Sequence, residues 1–401
     1  MKHSNFRDLT SGWYARPVAD EPGRVAQVRQ ALFEEGRVLA GVVAEPVLHS
    51  WQRCRKAGLR PASVPVFEPV GRRRINYLEG RDHGLLTAAG SLFDELQASV
   101  AHSHCKVMLT DRDGVLLRAT PSCAEDSRLL RAASRPGVDL GELLVGTNAP
   151  ALTARTGQAC TIGAGEHFHE LLSEIRCVAA PIRGRRGSVV AVLDLTVEGR
   201  PFGFNATWLV GAYASAIENS LRIAQTRQQV LLRLHPSRAL LDGLAAGLVA
   251  VDEAGRIGWC NDVAAALAGI EAGDAQALHS EAVLGLGLER MLGLTAARQP
   301  QALQLPSGLT VWVQAEFRRL GAGTAEADEP PPARAGAADP DPLPEPPVAA
   351  EPAGTLAQLN RRLIEHTLAL CGGNLSQAAR RLGVSRGLLY RRLRTGGDGA
   401  D

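Results

Sequence analysis

Hydrophobic and polar positions over residues 84–234 follow two different periods. Apolar residues three and four apart predict a helix over Leu85–Val100 and a long closing helix from Phe204 to Leu234. Shorter apolar runs between turn residues predict strands. The region is therefore predicted to be a mixed domain. Its predicted strands are Lys106–Thr110, Val115–Arg118, Cys177–Ile182 and Ser188–Thr196.

The predicted closing helix carries a short heptad-like series of positions. They alternate by four and three residues, the spacing of a coiled-coil seam. The pattern fits a dimer helix and a helix packed on its own sheet equally well. The positions are Ile217, Leu221, Ala224, Gln228 and Leu231.

A second alternating pattern covers residues 235–320. Gly247–Val251 and Arg256–Asn261 flank a glycine-containing turn, and a short helix follows from Asp262. Ala302–Leu305 and Leu309–Phe317 flank Pro-Ser-Gly, which indicates another hairpin. This region is predicted to be a smaller domain of strands and helices.

Residues 321–353 separate these domains from the C-terminal region. They contain nine prolines, and seven acids against one arginine. Such a segment buries too little apolar surface to offset chain entropy, so an extended flexible linker is predicted. The predicted organisation is a helical region over 1–83, mixed domains over 84–234 and 235–320, the linker over 321–353 and a helical unit over 354–396.

The C-terminal unit has the pattern of three short helices. Thr355–Cys371 ends at two glycines, Asn374 caps a second helix, and Gly383-Val384 forms a turn before the cap Ser385. Thr355–Gly397 holds eight arginines against one acid, so its local charge is +7 although the whole chain carries only +2. This pattern predicts a helix-turn-helix that binds DNA, although an arginine-rich helical hairpin exposed to solvent has the same composition. The predicted DNA-binding residues on the third helix are Ser385, Arg386, Gly387, Leu388, Tyr390, Arg391 and Arg394.

Other composition features restrict the class of protein. The seven cysteines are scattered and odd in number, which favours reduced thiols. The N-terminal residues lack a secretory pattern, and no run of about 18 apolar residues occurs, so the expected location is the cytoplasm.

Two histidine pairs have the spacing of metal ligands on one strand face, but neither has a third ligand in a recognisable pattern. They are His102 with His104, next to Cys105, and His167 with His169. We expect polar or packing roles for them, and a buried structural role for Cys260. No catalytic motif and no cofactor site are identified, so the expectation is a protein that is not an enzyme and holds no metal.

The C-terminal residues 372–386, GGNLSQAARRLGVSR, resemble the Fis-type helix-turn-helix. In that family this unit ends activators of sigma-54 RNA polymerase and dimerises through its first helix. The resemblance therefore implies a homodimer and a contact with RNA polymerase. It also implies that Leu356, Leu359 and Leu363 form the dimer contact.

The N-terminal part is similar to acetoin and glycerol catabolism regulators. The similarity lies in Ser50–Cys54, Gly146–Asn148, Gly165–Phe168 and Cys177–Ile182 with the following Val192–Leu195. It implies a GAF-like sensor domain, and residues 237–320 look like a PAS domain. After Asn148 the family continues with small residues, whereas this chain has Ala149-Pro150.

The family's central AAA+ ATPase is not recognisable in this sequence. No G-x-x-x-x-G-K-[ST] motif occurs to hold an ATP phosphate. The overall prediction is a multidomain α+β regulator with GAF-like and PAS-like sensors and an all-α DNA-binding unit. Its expected partners are double-stranded DNA and a small effector of unknown identity. Two alternatives are an antagonist that pairs with a full-length activator and a sensor for an unrelated enzyme.

Overall fold

The computed structural model describes residues 22–185, 187–271, 275, 278–297 and 299–318. Contacts divide the chain into two compact units, with the division between Gln225 and Thr226. Each unit contains a five-stranded sheet. The predicted linker and the predicted helix-turn-helix lie outside the described residues.

The sheet of the first unit has the strand order β2-β1-β5-β4-β3, and all neighbouring strands are antiparallel. The predicted turn at Asp111–Gly114 joins β1 to β2. The strands are β1 (Lys106–Asp111), β2 (Leu116–Ala119), β3 (Cys160–Ile162), β4 (Ile175–Arg183) and β5 (Val189–Glu198). The helices are α1 (Pro22–Phe33), α2 (Glu45–Lys56), α3 (Arg72–Arg81), α4 (His83–Ser99), α5 (Arg128–Ala133), α6 (Glu142–Val145), α7 (Ala149–Thr156) and α8 (Ala206–Gln225), with a 3-10 turn at Glu170–Leu172.

The two faces of this sheet have different chemistry. On one face Leu193 and Leu195 of β5 pack in an apolar core with Phe93 of α4 and Ile217 of α8. Because side chains alternate across a strand, the intervening positions point to the opposite face. Those positions include Asp194, so the second face is not purely apolar.

The second face is covered by α1, α2 and α7. Val28 of α1, Trp51 of α2 and Leu152 of α7 share a core cluster with Cys177 of β4 and Val192 of β5. Residues 22–83 therefore belong to the same compact unit as the sheet. The described part of the predicted N-terminal region is helical, as expected, but it is not separate from the sheet, because α1 and α2 bury their apolar faces on it.

The second unit contains an antiparallel sheet in the order β8-β7-β6-β10-β9. One core, including Leu232, Val249, Met291 and Val313, packs the described helices against it. The predicted hairpins are present in this sheet. The strands are β6 (Gln229–His235), β7 (Gly247–Val251), β8 (Ile257–Cys260), β9 (Gln301–Gln304) and β10 (Thr310–Arg318), and the helices are α9 (Asp262–Ala268), α10 (Ser280–Leu284) and α11 (Leu288–Ala297), with a 3-10 turn at Arg238–Leu240.

The predicted closing helix Phe204–Leu234 is too long. Helix α8 ends at Gln225, Gln228 takes a positive φ of 55°, and the next residues form β6 at the centre of the second sheet. The run Val-Leu-Leu-Arg-Leu fits helix and buried strand equally well by periodicity alone. Gln228 and Leu231 therefore do not continue a helical dimer seam, and residues 229–234 join the second sheet rather than the first domain.

The other predicted elements of the first two domains are confirmed within two residues at their ends. Among the residues that the structure describes, no helix is long and apolar enough to cross a membrane.

Candidate functional site

A set of polar side chains lies buried on the second face of the first sheet, under α2 and α7. We call it the polar cluster. Buried polar groups cost free energy unless they are paired, so such a set inside a core indicates a specific role. Its members and their exposed fractions are Ser50 0%, Thr110 0%, Thr147 0%, His167 2%, Cys177 5%, Asp194 0% and Thr196 2%.

Hydrogen bonds join the strand residues of the polar cluster. The Thr196 hydroxyl donates to Asp194 Oδ2 at 2.7 Å, and its oxygen lies 3.0 Å from Cys177 Sγ. Cys177 Sγ is also 3.7 Å from His167 Nε2. Because the Thr196 hydrogen is used by Asp194, the Cys177 thiol can donate either to Thr196 or to His167.

The same cluster continues from the sheet to helix α2. His167 Nδ1 donates to the backbone oxygen of Thr147 at 3.0 Å, and the hydroxyls of Thr147 and Ser50 lie 2.6 Å apart. The Thr147 hydroxyl also lies 3.9 Å from Cys54 Sγ. A continuous path of polar contacts therefore connects Asp194 at the sheet centre to α2.

Burial shifts the pKa values of two members of the polar cluster. Desolvation raises the pKa of Asp194 to about 7, against an opposing hydrogen bond from Thr196. Desolvation lowers the pKa of His167 to about 4, although its bond to the Thr147 carbonyl opposes this. At neutral pH His167 is uncharged, and Asp194 lies near the midpoint of its titration.

Arg29 of α1 holds the loop that carries His167. Its guanidinium donates to the backbone oxygens of Gly165, His167 and Phe168 at 3.2, 2.6 and 2.8 Å. It also stacks 5.3 Å from the centre of the Trp51 ring. Desolvation lowers the pKa of Arg29 from its usual value. The loop is thus positioned by a partly buried cation that binds three carbonyls.

Trp51 of α2 fixes the loop that carries His167, and Arg53 fixes the start of helix α6. The indole Nε1 of Trp51 donates to the Glu166 carbonyl at 2.8 Å. Arg53 forms a two-pronged ion pair with Glu142, with distances of 2.8 and 2.5 Å. Burial alone would raise the pKa of Glu142, but hydrogen bonds from Arg53 and Ser50 hold it below its usual value. The Ser-Trp-Gln-Arg-Cys stretch therefore anchors both the His167 loop and helix α6 beside the polar cluster.

The Gly146–Asn148 stretch begins helix α7. Gly146 has a φ of 71°, and a Cβ there would lie 2.7 Å from the Phe168 Cβ, so the position requires glycine. The Asn148 side chain caps α7 by accepting from the Ala151 amide at 2.9 Å. Pro150 lies in the first turn, where its missing N–H costs nothing. The Ala149-Pro150 departure from the family pattern is therefore compatible with the helix.

Neither histidine pair lies in a strand, so the idea that each pair shares a strand face is wrong. His102 and His104 precede β1 in a turn, and His104 contacts exposed Glu125 at 2.8 Å. His167 and His169 lie in the buried loop before the 3-10 turn. Among the described residues no group of three ligands could hold a metal ion. Cys260 is buried in the second unit, as expected.

The predicted DNA-binding residues on the third helix (Ser385, Arg386, Gly387, Leu388, Tyr390, Arg391 and Arg394) and the predicted dimer residues Leu356, Leu359 and Leu363 lie outside the described residues. Sequence reasoning did not single out Arg29, Thr110, Thr147 or Asp194 as site residues. The available signal was Asp194 itself, an acidic residue inside an otherwise apolar strand.

Two family models match the chain at its two ends. Residues 21–219 match the MimR N-terminal domain, and residues 355–395 match the Fis family of bacterial regulatory proteins. The acetoin catabolism regulatory protein of Cupriavidus necator is 29% identical over 227 residues. The chain is similar to the acetoin and glycerol catabolism-type regulators. The matched stretch is 55% of this chain and 34% of the Cupriavidus protein.

Other relatives show the same partial coverage. The propane 2-monooxygenase operon activator MimR of Mycolicibacterium smegmatis is 28% identical over 53% of this chain and 36% of its own length. The dihydroxyacetone kinase operon regulator of Escherichia coli is 23% identical over 60% of this chain and 37% of its own. The crystal structure of the E. coli DhaR(N)-DhaL complex aligns with a TM-score of 0.42 at 17% identity, over 68% of this chain and 99% of that one. The curated relatives are transcriptional regulators of catabolic operons, and this chain spans about a third of their length.

Proposed function

We propose that this protein is a sequence-specific transcription regulator whose N-terminal half senses a small effector and whose C-terminal helix-turn-helix binds promoter DNA as a homodimer. The observation that carries the proposal is the pairing of a MimR-type domain with a Fis-family unit in one chain. A single helix-turn-helix contacts few base pairs, so two units on half-sites one DNA turn apart supply the needed affinity. Because its target is DNA, its location is the cytoplasm.

The two mixed units are the sensor half in this proposal. Antiparallel sheets covered by helices support the assignment of the first unit as GAF-like and the second as PAS-like. The polar cluster is a suitable effector site because it is enclosed and held by α1, α2 and α7. Its contacts with α2 provide a route from effector to helix packing.

The protein acts without ATP hydrolysis in this proposal. The sequence has no P-loop motif between its N-terminal domain and its helix-turn-helix. The same observation favours a second candidate function, an antagonist that forms inactive heterodimers with a full-length activator. A contact with RNA polymerase would belong to the first function.

A gel shift with the purified full-length chain and genomic fragments that co-purify with it tests the proposal. The regulator function requires stable binding of the chain alone to a defined promoter. If DNA binds only after addition of a full-length activator of the family, the antagonist function is correct instead.

Substitutions in the third helix of the helix-turn-helix test the mode of binding. Arg386→Ala is expected to weaken binding to the specific site by about 1–3 kcal/mol while leaving random DNA nearly unaffected. Arg391→Ala is the matched arginine control. As a phosphate contact it is expected to weaken both DNAs equally and to reduce the salt dependence. Equal losses from Arg386→Ala on both DNAs would contradict base contact by that residue.

A further inference from the structure

An exposed group of aromatic side chains lies at the start of helix α8. Aromatic residues make up only 4% of the chain, yet Phe202, Phe204 and Trp208 fall within seven positions. Trp208 is 63% exposed, and both phenylalanines are partly exposed. We call these three residues the aromatic patch. Single exposed apolar side chains are common on protein surfaces, but a group of them marks an interaction surface.

Local contacts fix the position of the aromatic patch. The rings of Phe202 and Phe204 meet edge to face, with their centroids 6.0 Å apart. Asn205 caps α8, because its Oδ1 accepts from the Trp208 amide at 2.9 Å. The cap places Phe204 and Leu209 at the two positions of a hydrophobic staple, and both pack against the apolar core under α8. The patch is therefore held in place from two sides.

The helical period directs Trp208 away from the core. Ala206 and Val210 are both buried against the sheet, and each is two residues from Trp208. At about 100° per residue, a separation of two residues places Trp208 on the outer side of α8. A large apolar ring is thus presented to solvent, next to two further aromatic rings.

The linker contains a segment with the composition that aromatic surfaces bind. Residues 339–347, Asp-Pro-Asp-Pro-Leu-Pro-Glu-Pro-Pro, include five prolines and three acids. Proline-rich segments favour polyproline II, and such segments dock on aromatic side chains at a low cost in entropy. Three residues complete one turn of polyproline II, so Pro340, Leu343 and Pro346 would form one apolar face. Two of the three acids would lie together on a second face.

The linker is long enough to reach the aromatic patch for any placement of the two units. The described residues end with β10 at Arg318, and residues 319–338 precede the proline-rich segment. Twenty residues extend to roughly 60 Å in polyproline II. A unit of about 200 residues has a radius of gyration of only about 17 Å.

The charges of the two surfaces are also complementary. Arg200 is exposed and lies two residues before Phe202 in the same loop. Glu198, at the end of β5, is only partly exposed. The linker carries seven acids against one arginine, so it brings negative charge to this loop.

We propose that the aromatic patch binds residues 339–347 of the same chain, with the apolar face of the segment packed on Trp208. The contact requires neither DNA nor an effector, so it does not depend on the proposed function. Docking at 339–347 leaves only residues 348–353 of the linker before the helix-turn-helix unit. It therefore shortens the connection between the first unit and the helix-turn-helix, and it limits the reach of the latter.

Photo-cross-linking of the full-length chain tests the contact directly. Trp208 is replaced by the photoreactive residue p-benzoylphenylalanine, which its exposed position accommodates. After irradiation, mass spectrometry identifies the peptide that has reacted. We expect this peptide to contain residues 339–347.

Tyr77 provides the matched control position. It is an aromatic residue on a helix of the same unit and is 57% exposed. Its helix contacts the Asp111 end of β1, whereas the loop before α8 leaves the sheet at the Lys106 end. The same replacement at Tyr77 is expected to give at least about fivefold less of the 339–347 product.

A mixture of unlabelled and ¹⁵N-labelled chain separates contacts within a chain from contacts between copies. A cross-link within one chain joins two peptides of the same isotope, and we expect this product. A mixed-isotope product that joins α8 to α8 would show that the aromatic patch is a dimer surface. A mixed-isotope product with the linker would show that the segment binds a second copy. Either mixed product as the main species overturns the proposal.

Linker variants test which side chains make the contact. Replacing Pro340, Leu343 and Pro346 by serine removes the apolar face and keeps every acid, so we expect at least about a fivefold loss of the cross-link. Replacing the three prolines at 330–332 by serine makes a matched change outside the segment and should leave the yield unchanged. Arg200→Gln should reduce the yield about twofold at most, because an exposed ion pair contributes little.

Three results would overturn the proposal. They are no cross-link to 339–347, equal losses from the two serine variants, and a loss from Arg200→Gln that exceeds the loss from the variant without the apolar face. The last result would mean that charge, and not the prolines, holds the segment. Melting temperatures within about 2 °C of the wild type would show that each variant is folded.

Discussion

Replacing Asp194 by asparagine is expected to change the pH dependence of stability in a direction set by burial. Asp194 is 0% exposed and its pKa in the folded state is about 7, against an ordinary value of 3.8. The asparagine keeps the shape and can still accept from Thr196, but it does not titrate. The difference in stability between wild type and Asp194→Asn therefore reports the effect of the proton that the folded state holds on this carboxyl.

The magnitude follows from the two pKa values. Between pH 3.8 and 7 the folded state keeps a proton that the unfolded state has released, so the free energy of unfolding falls as pH rises. At 1.36 kcal/mol per unit, this loss is on the order of 4 kcal/mol over the interval. The pKa of His167 has the opposite shift, from 6.5 to about 4, so its contribution to stability is lost as pH falls through that window. In the wild type the two contributions nearly cancel between pH 4 and 6.5.

Urea unfolding of the full-length variants at a series of pH values checks this reasoning. Relative to the wild type, Asp194→Asn should gain stability steadily from pH 4 to 7, by a total of a few kcal/mol. His167→Gln should show the reverse. Its stability relative to the wild type should fall as the pH rises from 4 to 6.5. Curves that run parallel to the wild type for Asp194→Asn would refute the idea that burial holds this carboxyl protonated.

Three further substitutions test how the site and the second unit are held. Arg29→Lys keeps the charge but loses the forked contact with three carbonyls, so we expect a loss of about 1–3 kcal/mol of stability and faster hydrogen exchange in the 165–168 loop. Gly146→Ala should cost more than about 2 kcal/mol in urea unfolding, because its Cβ would meet the Phe168 side chain, whereas Gly199→Ala, with the same positive φ but open space, should cost only about 1 kcal/mol. Equal costs would show that the steric contact is unimportant. Asn261→Ala removes a buried cap that accepts from two amides and donates to the Ala246 carbonyl, so calorimetry should show a loss of about 2 kcal/mol or more. An unchanged melting profile would contradict that role.

The sequence alone determined the elements whose pattern is local. The turn at Asp111–Gly114, the hairpin around Pro306–Gly308 and the N-cap of α9 follow from residues that are neighbours in the chain. The family could also be recognised from short contiguous stretches such as GGNLSQAARRLGVSR. In these cases the chemistry that fixes the structure lies within a few residues.

The tertiary structure alone decided which elements pack together. The run Val230–Leu234 is apolar enough for helix or strand, and it forms a strand because it has a β7 and a β10 to pair with. Residues 22–83 appeared to be a separate region because their apolar faces match a sheet whose strands all come later in the chain, from Lys106 onward. The partners of Arg29 are 136 or more residues away in the chain. Asp194 Oδ1 is buried without a partner because of where distant segments of the chain pack around it. Local propensity carries no information about such distant contacts, so the buried polar cluster could be found only in the folded chain.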